Sequence, residues 1–254
     1  MGKIMQFLLA SSSMILVFCT PSNKTSADQI VYREKSEEFQ RCVEGACAEI
    51  ALSYPIFEGE PLLAEQLNEH VNQLLVGYIK VGDQKPNNLK GAIRDFFVAY
   101  LQNRQESNVA DQPWELEISG KVTYQTKHLL GLRFSSYSFL GGAHPNTHES
   151  HLTIDLDSGG TILGQKDMVL NKDKLLALAQ KKFRDFHQVE PAASLEEDGR
   201  FFLKNEGFFL PQSMGYEQNN FVLFYNNYEI GSYAMGSTEL RFSLDELEGI
   251  VLLK

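Results

Sequence analysis

His144, His148 and His151 stand within eight residues of one another, with Glu149 and Asp155 close by. Imidazole and carboxylate groups are good zinc ligands. The spacing is not that of a helical ligand pair, however, and Gly141-Gly142 with Pro145 places His144 in a turn. In a strand running from Glu149 onward, His151 shares a face with Glu149 and opposes Ser150. These residues therefore read as a turn histidine braced by hydrogen bonds, with His148 and His151 partly exposed, and with no metal. Such a turn can also form the rim of a ligand site, since loops often present binding groups. His144, Asn146 and His148 are the candidate contacts there.

A second group lies downstream. Tyr216, Phe221, Phe224, Tyr225, Tyr228 and Tyr233 are interleaved with Asn219, Asn220, Asn226 and Asn227. Aromatic rings supply contact area and amides supply directional hydrogen bonds, a combination suited to a sugar or protein surface. Phe221, Leu223 and Tyr225 alternate and read as strand core. Tyr228, Glu229 and Tyr233, in the loop beyond, are the better recognition candidates. Other chemistries lack their patterns. No lysine-bearing helix start follows Gly141-Gly142, so it is no phosphate loop, and no nucleophile elbow is present. Glu196-Glu197 and Asp245-Glu246 are sequence neighbours, whereas glycosidase acids are defined by their separation in space. The sequence assigns no catalytic residue and no cofactor, and it leans against an enzyme.

The elements that carry these residues follow from periodicity. Residues 30–54 alternate imperfectly and read as strands, ended by Pro55 and the turn at 58–60. Leu62, Leu63, Leu67, Val71, Leu74, Leu75 and Tyr78 recur at three- and four-residue steps, predicting a helix over 61–79. Leu89, Ala92, Ile93, Phe96, Phe97, Tyr100 and Leu101 predict a second. From Trp114 the period becomes two, with strands expected over 114–124, 128–140 and 150–157 as an antiparallel meander beneath the helices. A helix over 170–187, a short helix capped by Ser194, strands at 208–211, 220–225 and 238–243, and a terminal helix over 244–252 complete the expectation. The fold class is α+β: helices packed on antiparallel sheets, in two intimately associated subdomains.

Lys3 followed by the apolar run 4–18 is laid out as an export signal. Residues 1–18 are read as signal peptide and 19–29 as a tether. Leu16-Val17-Phe18-Cys19 resembles a bacterial lipoprotein signal, which would make Cys19 the lipidated first residue, anchored to a membrane. Phe18 departs from the small residue expected before that cysteine, and plain secretion and an uncleaved anchor are the alternatives. Cys42 and Cys47 then remain, flanking a turn-like centre. Export and even number fit a disulfide at a hairpin tip, against two unpaired packed thiols. The chain has 254 residues and a net charge of −10, with 43% hydrophobic and 22% charged residues. That composition suits a folded domain. The acidic balance argues against a nucleic-acid partner, and Lys181, Lys182 and Arg184 read as the solvated face of a helix.

The run Ser136-Tyr137-Ser138-Phe139 followed by Gly141-Gly142-Ala143-His144-Pro145-Asn146 resembles a glycine-histidine turn in bacterial exported proteins of the DUF3298/DUF4163 type. The turn at 155–160, the strand and loop at 221–225 and 228–236, and the ending at 240–247 resemble the second domain of those proteins. The resemblance runs from about Ala48 to Lys254. It implies a DUF4163-like subdomain over 30–160 and a DUF3298-like one over 161–254. Similar domains accompany a peptidoglycan deacetylase, outside its catalytic part, and form the outer domain of an anti-sigma factor that recognises lysozyme. The deacetylase's metal motifs have no counterpart in this sequence. The resemblance thus implies a non-catalytic recognition protein of the bacterial envelope, with lysozyme, another envelope protein or peptidoglycan as partner. A glycan hydrolase and a structural envelope lipoprotein are the alternatives.

Overall fold

The structure, a computed structural model, describes residues 30–106, 112–203 and 207–254. The signal segment, the tether and Cys19 lie outside the described residues.

Strands β1 (Val31–Val43) and β2 (Ala46–Glu58) form a long hairpin. Its turn residues, Glu44 and Gly45, both have positive φ, at 51° and 87°, the backbone pattern that best matches strand twist in a two-residue turn. Cys42 pairs with Cys47 across the tip, and the two are joined as a disulfide. Pro55 does not end β2. Pairing with the next sheet neighbour stops at Ser53, so an imide nitrogen is tolerated beyond it.

Helix α1 (Pro61–Ile79) begins with Glu60, whose carboxylate accepts from the Leu62 and Leu63 amides. With α2 (Leu89–Glu106) it buries Leu67, Val71, Leu75, Ala92, Phe96 and Tyr100. The chain returns as β3 (Trp114–Gln125), β4 (Leu129–Leu140), β5 (Asn146–Asp155) and β6 (Thr161–Leu163), completing a six-stranded sheet in sequence order. The expected all-antiparallel arrangement needs correction, because β2 and β3 run parallel. The two helices form the long crossover that a parallel neighbour requires. They cover one face of the sheet, meeting Ile50, Leu52, Leu116, Ile118, Leu132 and Phe134 in a single core.

The second subdomain has its own core. Helices α3 (Gln165–Met168), α4 (Lys172–Phe186) and α5 (Leu195–Asp198) accompany an antiparallel sheet of β7 (Ser213–Glu217), β8 (Asn220–Tyr225) and β9 (Thr238–Ser243). Leu175, Ala179 and Phe183 of α4 pack with Phe221, Leu223, Tyr225, Leu240 and Phe242. Ser194 and Glu197 form the expected reciprocal cap on α5. Two expectations fail here. The segment 208–211 is a loop whose Phe208 and Leu210 are nevertheless buried, and the strand lies at β7 instead. The expected terminal helix is only a 3-10 turn, Asp245–Leu247, followed by Gly249 at φ 70° and a bridge from Val251 to Val169.

Within the first core, Gly120 on β3 stands opposite Phe134 on β4. A Cβ at Gly120 would lie 2.4 Å from the Phe134 ring. Gly120→Ala is therefore expected to destabilise the chain by about 1–3 kcal/mol through overpacking, measured by urea unfolding. An unchanged midpoint would show that the ring has room to move.

Candidate functional site

The subdomains meet where β7 lies across β5. Gly215 makes this approach possible, since a Cβ there would fall 2.9 Å from His151 Cβ. Alternation along β7 puts Ser213 and Glu217 on either side of Gly215, on one face. His151 reaches between them. Its Nδ1 lies 2.8 Å from Ser213 Oγ and its Nε2 2.8 Å from Glu217 Oε1. The imidazole has no exposed surface, and the Glu217 side chain is 9% exposed. Two arginines complete the network. Arg133 donates to Glu149 at 2.8 Å and to Glu217 at 3.0 Å, and Arg241 donates to the other Glu217 oxygen at 2.8 Å. Burial alone would push the Glu217 carboxyl up. Hydrogen bonds from His151 and Arg241 and the charge of Arg133 outweigh it, holding that carboxyl at about 2.

The same junction opens into a cleft of about 450 Å³, lined by His148, Ser150, His151, Ser213, Asn227, Tyr228 and Glu229 among others. Its outer wall is the loop after β8. Strand β6 pairs only with Thr153, Ile154 and Asp155, which leaves the edge of β5 open at Glu149. The Asn226 side-chain amide fills that edge: Oδ1 accepts from Glu149 N at 2.8 Å, and Nδ2 donates to Glu149 O at 3.0 Å. Glu229 ties the loop back by accepting from the Gln212 and Asn226 amides at 2.8 and 2.9 Å. Between them Tyr228 adopts φ 65° and leaves its side chain out, 54% exposed. A bulky residue held in left-handed backbone is strained, and such strain concentrates at ligand-contacting positions.

The candidate residues from the sequence fall into place as follows. His148, Tyr228 and Glu229 line the cleft. His144 and Tyr233 stand beside it, their rings stacked with centroids 3.9 Å apart. His144 Nδ1 and the Tyr233 hydroxyl both reach the Pro145 carbonyl, at 2.9 Å each. A carbonyl only accepts, so Nδ1 carries the proton and Nε2 is left to accept from the Tyr228 hydroxyl at 3.4 Å. Asn146 opens β5 opposite Ser138 and does not line the cleft. Partial burial lowers the His148 imidazole, against the opposing pull of Glu229 and Glu149, and so favours its neutral form. His151 differs from expectation: its side chain is fully buried, because β7 covers this face of β5. Asp155 is committed to an ion pair with Lys254 at 2.9 Å. Among the described residues, no three His, Cys, Asp or Glu side chains are grouped to hold a metal ion.

Ser213, Glu217 and Arg133 were not singled out from the sequence. The available signal was the spacing Ser213-x-Gly215-x-Glu217, two polar residues on one strand face around a glycine. The disulfide expectation for Cys42 and Cys47 is met in the structure.

This geometry defines an α+β protein of two interlocked subdomains with a cleft at their junction. Residues 42–147 match a family model described as "Deacetylase PdaC", and residues 165–245 match "Protein of unknown function (DUF3298)". The two matched segments follow one another along the chain, the first within the first subdomain and the second within the other. A crystal structure of a DUF3298 family protein from Pseudomonas aeruginosa PAO1 aligns with TM-score 0.65 and 21% identity, covering 89% of this chain and 95% of that one. A DUF3298 family member from Bacteroides fragilis NCTC 9343 aligns with TM-score 0.63 and 18% identity, covering 88% and 94%. At these identities the likeness is one of fold. No curated protein matches the chain. The match to a deacetylase family corrects the leaning against an enzyme. Among the described residues, no helix is long and apolar enough to cross a membrane.

The Glu217 carboxylate yields a pH prediction. Its folded value, about 2, lies below the ordinary 4.5. Ionisation therefore stabilises the fold above that ordinary value, and the contribution is lost as pH falls from there toward the folded value. The full effect is ~3 kcal/mol. Glu217→Gln is expected to flatten the dependence of melting temperature on pH across this window, and to lower stability at neutral pH by leaving Arg133 and Arg241 short of an acceptor. An unchanged acid limb would place the acid-sensitive group elsewhere.

Proposed function

We propose that the chain is exported to the bacterial cell envelope, is held there through a lipid on Cys19, and binds acetylated glycan such as peptidoglycan in the junction cleft, acting on it as a hydrolase. The observation that carries this reading is Tyr228, an exposed ring held in left-handed backbone at a cleft that also presents His148, Asn227 and Glu229. A sugar offers C–H faces to an aromatic ring and hydroxyl and amide groups to directional partners. The family description of the N-terminal segment, a deacetylase, supports an acetylated substrate. The export signal and lipoprotein-like cysteine in the sequence support the location.

The test is calorimetric titration of the chain from Thr20 onward with N-acetylated glycan fragments and their deacetylated counterparts. Saturable binding that prefers the acetylated form is expected. Tyr228→Ala should weaken it about tenfold, the equivalent of ~1.4 kcal/mol. Equal affinity for both forms, or no effect of Tyr228→Ala in a folded protein, would contradict the reading.

A second reading, binding of lysozyme or another basic envelope protein, is supported by one surface. The sheet face turned away from the helices carries Glu38 and Glu117, both exposed, with Glu115 in the neighbouring row, and the net charge is −10. Such a field speeds encounter with a cation more than it selects one. Binding to lysozyme that persists at raised salt and is not shared by a basic control protein would support this reading. Binding equal to that of the control would remove it.

A further inference from the structure

The junction carries a second chemistry beside its clamp. Glu217 is ionised and can only accept, so His151 Nε2, 2.8 Å away, must carry the imidazole proton. In the neutral ring Nδ1 is then a bare acceptor, to which the Ser213 hydroxyl at 2.8 Å can donate. Among the described residues, Ser213 Oγ has no other hydrogen-bond partner, and Ser213, only 6% exposed, stands at the floor of the cleft. A hydroxyl bonded to an imidazole, itself held by a carboxylate, is the arrangement of an activated nucleophile, recognised by geometry rather than by sequence order.

We infer that Ser213 is a nucleophile for acyl transfer from an acetylated sugar, with His151 as its base and Glu217 as a positioning residue. The substrate class rests on the glycan reading above; the nucleophile rests on the hydrogen-bond geometry. The Ser213 proton moves to His151 Nδ1 as Oγ bonds to the acetyl carbon, and the carbonyl pair shifts onto oxygen. When the intermediate collapses, the bond from that carbon to the sugar oxygen or nitrogen breaks, and the sugar takes the proton from Nδ1. Water repeats the sequence on the acyl-serine, releasing acetate and restoring the hydroxyl. Glu217 fixes the tautomer and stabilises the cation formed on the buried ring. His148 and Asn227 bring N–H donors to the same cleft, where developing oxyanion charge would need them.

The experiment treats the chain from Thr20 onward with a fluorophosphonate probe, followed by peptide mapping. In parallel it measures acetate release from an N-acetylated and an O-acetylated glycan fragment. The expected result is an adduct at Ser213 that the fragment slows, and acetate release that Ser213→Ala lowers about 100-fold or more in a protein that still unfolds cooperatively. Should Ser213→Ala not fold, Ser213→Cys keeps a hydrogen-bonding side chain of similar size, and its thiol is expected to be alkylated selectively by iodoacetamide. A thiol no more reactive than one in the unfolded chain would overturn the inference. Glycan binding with neither adduct nor acetate overturns the nucleophile and leaves the binding reading standing. Acetate release at the wild-type rate from Ser213→Ala overturns the nucleophile and leaves a hydrolase. An adduct at Ser213 without glycan binding supports the nucleophile and removes the glycan.

Discussion

One buried imidazole joins the two halves of this protein. His151 leaves β5, passes over Gly215 and hydrogen-bonds Ser213 on one side and Glu217 on the other. A polar ring with no exposed surface is costly to bury unless both nitrogens are satisfied, and here both are. Glu217 in turn is matched by Arg133 from the first subdomain and Arg241 from the second. Removing any one member leaves a buried group without its partner, so the network couples the subdomains more strongly than its net contribution to stability suggests. A larger residue at Gly215 would push β7 from β5 and weaken the contacts of His151 with Ser213 and Glu217, and of Arg133 with Glu217, together.

The cleft is a consequence of that junction. With β7 fixed on β5, the loop after β8 is delivered to the open edge of β5, where Asn226 substitutes for a missing strand at Glu149. Tyr228 is then held between two anchored neighbours, which is how a strained backbone can persist. The His144–Tyr233 stack braces the same rim from the β4–β5 turn. The candidate residues thus come from segments about eighty residues apart in sequence, yet they rest on paired strands. The hydrogen-bonded pair Ser213 and His151 lies in the lining of the same cleft.

Much of this was legible in the sequence. The helix α1 was readable to the residue because its apolar stripe is regular and Pro61 follows a capping acid. The hairpin and its cysteines were readable from turn chemistry. Strand β7 was not: Ser-Met-Gly-Tyr-Glu is buried on both faces, so it shows no alternation. The parallel β2–β3 pairing was missed because β-strand pattern carries no direction. His144, His148, Tyr228, Glu229 and Tyr233 were identifiable by residue type, but their convergence depends on the junction, and the junction depends on Gly215. His151 was misjudged for the same reason, since only the second subdomain covers it.

On the reading proposed above, an acetylated glycan binds in the junction cleft. A crystal structure of the chain from Thr20 onward with an N-acetylated glycan tetrasaccharide tests it most directly. Sugar density against the Tyr228 ring, within hydrogen-bond reach of His148 and with an acetyl group directed at Ser213, is the predicted result. An occupied sugar on the open face of the larger sheet, with the cleft holding only water, would contradict the account.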